Sequence, residues 1–248
     1  MSEAGDAVIV YVAALSWRKL SFRYASSTTV LGGEIGSRFS LRESAAPVSS
    51  DLEITVGLAH LGVEGRWQAI RPTIRRTVFE SKEGSVEWHC LQPGSQVELR
   101  LDGAERLSGL GYAECLTVSM PPWKLPLEEL HWGRFVTERD SLVWIDWRGP
   151  YRKQIVLHNG DECPVESLTE SEIVLAGGTK RLRLDCGLTL RQGTLGRTVF
   201  SGMALVRKML PKSILTVREQ KWRSRGDLHT AAGNSSGWAI HEVVKWKA

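Results

Sequence analysis

The chain holds four cysteines, Cys90, Cys115, Cys163 and Cys186, spaced singly with no CxxC among them. That excludes the usual zinc spacings and a disulfide framework, and it makes a reducing, cytoplasmic location the expectation. Its six histidines form neither HxH nor HExxH, so no metal is expected. No apolar run reaches the length of a membrane helix, and the start, MSEAGDAVIVYVAAL, carries acids where a signal peptide carries bases. Residues 7 to 15 read instead as a buried strand. No serine sits in a strand-to-helix nucleophile elbow, since GNSSG (233–237), the one GxSxG spelling, is not followed by a helical pattern, and no P-loop lysine is present, which argues against covalent hydrolase and nucleotide chemistry. An integral membrane segment is not expected; a peripheral membrane contact stays open.

What is abundant is tryptophan, ten in 248 residues, beside 24 glycines and only 9 prolines. Short segments rich in β-branched and aromatic residues are broken by turns every eight to twelve positions, the pattern of a sandwich or barrel. QVELRLD (96–102) alternates cleanly, as does KRLRLD (180–185). The spacing predicts one helix, over 195–210, capped by Thr194 and stopped by Pro211. ESAAPVSSD (43–51) and SRGDLHTAAGNSSG (224–237) read as exposed loops. Three prolines in SMPPWKLP (119–126) interrupt strand pairing, which predicts two β domains, 1–120 and 121–248.

Basic residues exceed acidic ones by 32 to 28, mainly in the last fifth of the chain. They are not interleaved with exposed aromatics along one face, so a nucleic-acid partner is not expected. The carboxylates are the informative charges. Read at period two, Tyr112, Glu114, Leu116 and Val118 share a face; Trp144, Asp146 and Arg148 share another, with Val143, Ile145 and Trp147 opposite; and Trp238, Ile240, Val244 and Trp246 flank Glu242. A carboxyl on an aromatic strand face has the setting of an acid held away from water beside an apolar substrate. Glu114, Asp146 and Glu242 are therefore the candidate acids. The competing reading pairs each with a base: Arg134 with Glu114, Arg148 with Asp146. Tyr112, Trp88, Trp123, Trp132, Arg134, Trp144 and Trp238 are the candidate substrate-binding residues, although tryptophan is more often core than catalytic. His131 and His241 alternate away from the face of Trp132 and Glu242.

The phrases VEWHCLQP (86–93), GLGYAE (109–114), PPWKLP (121–126), HWGRF (131–135) and VWIDWRGP (143–150), with KWRSRG (221–226) and GWAIHEVVKW (237–246), resemble the carotenoid 1,2-hydratase family and its lipocalin-like cyclase relatives. The resemblance covers mainly 84–160 and 212–246. It implies an all-β chain of two lipocalin- or calycin-like antiparallel barrels or sandwiches around an apolar cavity. It also implies a cofactor-independent hydro-lyase or cyclase that adds water to, or closes a ring in, a hydrophobic polyene or isoprenoid. Two alternatives stand beside it: a pericyclase of Diels–Alder type, which works by orientation, and a carrier that only holds an apolar ligand.

Overall fold

In the computed structural model, residues 1–17, 20–42, 46–50 and 52–246 are described. They fold as an all-β chain that divides into two compact units. The first takes Met1–Ile74 and His89–Cys115, and the second takes Arg75–Trp88 and Leu116–Ala248. No helix among the described residues is long and apolar enough to cross a membrane.

The first unit opens with an antiparallel sheet of β1 (Ala7–Trp17), β2 (Leu20–Leu31) and β3 (Glu34–Ser40), in that order. A second sheet begins with β4 (Val48–Ser49), β5 (Glu53–Leu58) and β6 (Val63–Ala69) and continues through the long strand β8 (Gly84–Leu101), which also pairs with β7 (Ile74–Ser81) and β9 (Glu105–Val118). Val63, Trp67, Val97 and Leu101 fall on one face because Val63 pairs with Leu101 and Trp67 with Val97. Ala25, Leu58 and Leu61 join Val63 and Leu101 in one buried cluster.

The second unit is built on a ten-stranded sheet. It comprises β10 (Glu129–Val136), β11 (Ser141–Arg148), β12 (Lys153–His158), β13 (Asp161–Glu162), β14 (Val165–Leu168), β15 (Glu172–Leu175), β16 (Arg181–Leu184), β17 (Leu188–Thr194), β18 (Arg218–Thr230) and β19 (Gly233–Lys245). The order runs β13-β12-β11-β10-β19-β18-β16-β15-β14, and β17 also pairs with β18. Phe135, Leu142, Trp144 and Val156 from the first half of this order share a buried cluster with Leu168, Ile173, Leu175, Leu182 and Leu184 from its far end. The sheet is therefore curled, with these side chains inside. Arg148 on β11 donates from Nη2 to the carbonyl of Leu168 on β14 at 2.8 Å, joining strands from opposite ends of the order. The outward side is covered in two places. Phe79 stacks on Trp147 at 5.8 Å and Trp88 meets Trp132 edge-on at 6.3 Å, while Ile214 and Val217 pack on Val244 with Leu130, Leu195 and Phe200 around them.

Four expectations change. Residues 224–237 are not a loop: they are strand through Thr230 and again from Gly233. Two of their three glycines mark close approach, since a Cβ at Gly226 would stand 2.8 Å from the Phe135 ring and one at Gly237 would stand 2.7 Å from the Val136 carbonyl oxygen. Residues 195–210 do not form one helix; α1 spans Ala204–Met209 and α2 Lys212–Leu215. The amides of Leu195 and Gly196 are instead taken by the carbonyls of Val217 and Leu215. Residues 7–15 are strand, yet Tyr11 and Val12 lie exposed at 37% and 39%. Within 43–51, Val48–Ser49 forms β4 while residues 43–45 and 51 lie outside the described ones.

The Phe135 ring fills the space that the two glycines leave and is fully buried. Phe135→Ala should cost roughly 3–5 kcal/mol, read as a lower midpoint for the second unit's unfolding in denaturant.

Candidate functional site

The register of β10 sorts the sequence-derived residues onto two sides of the curled sheet. Trp132 pairs with Ile145 and with Glu242, and Glu242 pairs with Lys221, so all four point outward. One step on, Arg134 pairs with Ile240, which pairs with Arg223. Val136 pairs with Trp238. Trp88 and Trp123 belong to the layers that pack on this same side. Six of the ten candidates thus share the outer side: Trp88, Trp123, Trp132, Arg134, Trp238 and Glu242.

At the centre of that side is an ion pair. Lys221 Nζ lies 2.6 Å from Glu242 Oε2, and the lysine side chain is only 6% exposed against 23% for the glutamate. A charged pair withdrawn from water this far is costly unless geometry compensates, and both charges remain mutually satisfied at this distance. Beside it the Arg223 guanidinium sits 4.7 Å over the Trp238 ring, so this indole already faces a cation. Glu219, two residues before Lys221 and on the same side, receives the Thr198 hydroxyl at 2.5 Å and faces Arg191 at 3.7 Å.

The inner side carries Trp144 and Asp146. Asp146 accepts from Arg148 Nε at 2.7 Å, and the same guanidinium donates from Nη1 to Glu129 Oε1 at 2.9 Å. The competing reading of Asp146, in which Arg148 neutralises it, is the geometry found. His131, opposite Asp146 in register, lies 2.6 Å from Glu129 through Nε2. Burial pushes the Glu129 carboxyl up. The hydrogen bond from His131, with the charges of His131, Lys245 and Arg148, outweighs it and holds the group below its ordinary value. Because Arg148 also reaches Leu168, this cluster ties the curled sheet together.

Glu114 and Tyr112 belong to the first unit, on β9. Tyr112 Oη donates to Glu114 Oε2 at 2.7 Å. The row is less apolar in its setting than the sequence suggests, since Leu116 is 46% exposed and both Tyr112 and Glu114 are only half-buried. Among the described residues no group of three or more His, Cys, Asp or Glu is placed to hold a metal ion.

Sequence reasoning missed Lys221 and Arg223. The signal was present: KWRSRG read at period two puts Lys221, Arg223 and Arg225 on one side and Trp222 and Ser224 on the other. That other side is the inner one, where Ser224 Oγ and His241 Nε2 lie 2.7 Å apart and Trp222 stacks on the imidazole at 5.0 Å.

Burial pushes His241 down to about 4, against the pull of the Asp185 and Glu242 carboxylates. An unfolded histidine titrates near 6.5. The folded state thus binds fewer protons between those values, and the stability held above about pH 6.5 is lost as pH falls toward 4. The loss should reach roughly 3 kcal/mol. His241→Gln should flatten this acid limb in denaturant titrations at pH 7, 5.5 and 4.5, while a limb of unchanged depth would assign it to other groups.

No protein-family model matches the chain, and no curated protein matches it in sequence. Solved structures do match in fold. Kievitone hydratase from Nectria haematococca aligns over all of this chain and 87% of its own, with a TM-score of 0.59 and 10% identity. CghA aligns over 97% of this chain and 70% of its own, with a TM-score of 0.46 and 8% identity. The all-β, lipocalin-like architecture is thus one that this chain shares with a hydratase of known structure.

Proposed function

We propose that the outer side of β10, β19 and β18 is the reaction surface of a cofactor-independent enzyme that hydrates or cyclises an apolar, unsaturated substrate by proton transfer. The observation that carries this reading is the Lys221–Glu242 pair, 2.6 Å apart and largely withdrawn from water, directly opposite Trp132 in register. The fold shared with kievitone hydratase supports it.

The chemistry follows from desolvation. When an apolar molecule covers the pair, the charged form loses what solvation remains, and the uncharged amine and carboxylic acid become the favoured arrangement. The same two side chains then present an acid and a base. Glu242 gives its proton to a substrate carbon, and the carbocation that forms lies against the π face of Trp132, worth about 0.5–2 kcal/mol, while Trp238, already beneath the Arg223 guanidinium, lines the apolar surface. Water adds to the cation and yields its extra proton to the Lys221 amine. The alcohol leaves and the ammonium–carboxylate pair is restored. If an internal alkene attacks the cation instead, a ring closes, and the Lys221 amine takes the proton that is lost. Arg134 is assigned to orienting or tuning on this surface, and Trp88 and Trp123 to shaping its apolar wall, while Tyr112, in the first unit, is assigned to tuning Glu114 alone. Trp144 belongs to the inner wall. Asp146 and Glu114 remain the alternative acids, Asp146 with Arg148 on its carboxylate and Glu114 with the Tyr112 hydroxyl on its own. The isoprenoid or polyene nature of the substrate is part of the same proposal.

A panel of polyenes and isoprenoids incubated in deuterated, ¹⁸O-labelled water separates the chemistries by mass spectrometry. Hydration places both deuterium and ¹⁸O in the product. Protonation-driven cyclisation places deuterium only, a pericyclic reaction places neither, and a carrier returns its ligand unchanged. Glu242→Gln should lower kcat by about 10²–10⁴-fold, the range of general acid catalysis. The double variant Lys221→Met with Glu242→Gln should recover the stability that either single change costs without recovering turnover. Full activity in Glu242→Gln would transfer the acid role to Asp146 or Glu114.

A further inference from the structure

Strand β1 reads AVIVYVAALSW from Ala7 to Trp17: eleven residues with no charge, no proline and no glycine. It pairs along its whole length with β2 on one side, and in the order β1-β2-β3 it is the edge of its sheet. Natural edge strands are blunted by lysine, proline, bulges or brevity, because the outward-pointing backbone groups otherwise accept another strand. This edge has none of those devices. Its first part is covered, with Ala7 and Ile9 buried at 2% and 7%, but the stretch from Tyr11 through Ala14 is exposed. Next to it on the same face of the sheet, Tyr24 and Phe39 stack at 6.5 Å, with Phe39 47% exposed.

We propose that the edge of β1 is a self-association surface, and that its occupant is β1 of a second copy of this chain, paired antiparallel about a twofold axis. An edge of this kind takes a strand, since only another backbone matches its donors and acceptors. The sequence suits its own image. With the axis at Val12, the middle residue, Val12 meets Val12, Tyr11 meets Ala13 and Val10 meets Ala14, so large side chains face small ones on both faces. A twofold interface brings any charge on the strand close to its own copy, and β1 carries none to repel. The product is a continuous six-stranded sheet, β3-β2-β1 followed by its symmetry mate.

Light scattering on the full chain tests this. The expected mass at micromolar concentration is twice 27.6 kDa. Val12→Lys sets two ammonium groups against each other across the axis and should halve that mass with the circular dichroism spectrum unchanged. Ala14→Lys, at another exposed position of the edge, is the second variant and should do the same if Val12→Lys fails to fold. In the unsubstituted chain, hydrogen exchange of the β1 amides should slow as protein concentration rises. A monomer throughout the micromolar range, or a dimer that both substitutions leave intact, would overturn the proposal.

Discussion

The curl of the ten-stranded sheet depends on one steric fit: the Phe135 ring lodged against the backbone at Gly226 and Gly237. With no Cβ at those two positions, β18 and β19 close over the ring, and Leu142, Leu182 and Leu228 complete the layer around it. Once the sheet is curled this way, each strand acquires an inside and an outside, and the alternation of side chains does the rest. Lys221 and Glu242 are then outside because Trp222 and His241 are inside. The polar clasp of Arg148, Asp146 and Glu129 is secondary to that apolar fit: it fixes where the strands from the two ends of the order meet, at a cost in desolvated charge that its four hydrogen bonds offset.

The two sides of the sheet divide their labour by burial. The inner side holds charges that are fully committed to one another, an arrangement that specifies geometry and leaves little capacity for a guest. The outer side holds a lysine and a glutamate in a half-dry setting next to indoles, one of which already receives a guanidinium. An apolar molecule laid over a pair in that setting would remove its remaining solvation and penalise the charged form relative to the uncharged one. That sensitivity is the physical basis for reading the outer side as reactive.

Much of this was legible in the sequence. The period-two reading of VWIDWRG placed Trp144, Asp146 and Arg148 together and Ile145 and Trp147 opposite, as the register bears out. The reading of GWAIHEVVKW placed Glu242 with Trp238 and Ile240, and away from His241. Period two could not say which side of each strand faces inward, because both sides are apolar enough to be buried and the choice is set by curvature. Glycine and serine in 224–237 look like loop chemistry until a phenylalanine from another strand needs their missing side chains. The helix over 195–210 failed for a related reason: its first amides find partners at Leu215 and Val217, far from the local turn that propensity describes. The resemblance to carotenoid hydratases pointed to a lipocalin-like fold, which stands, and to an isoprenoid substrate, which is carried forward as a proposal.

Strand β11 is buried at seven of its eight positions, from Ser141 to Trp147. Paired on both edges by β10 and β12 and covered on both faces, it has no route by which solvent can reach its backbone through small local openings. Its amide protons can be replaced only when the whole second unit comes apart. The strand is in effect a built-in clock, whose slowest-exchanging hydrogens count the rare global openings while those of the outer rim record only local breathing.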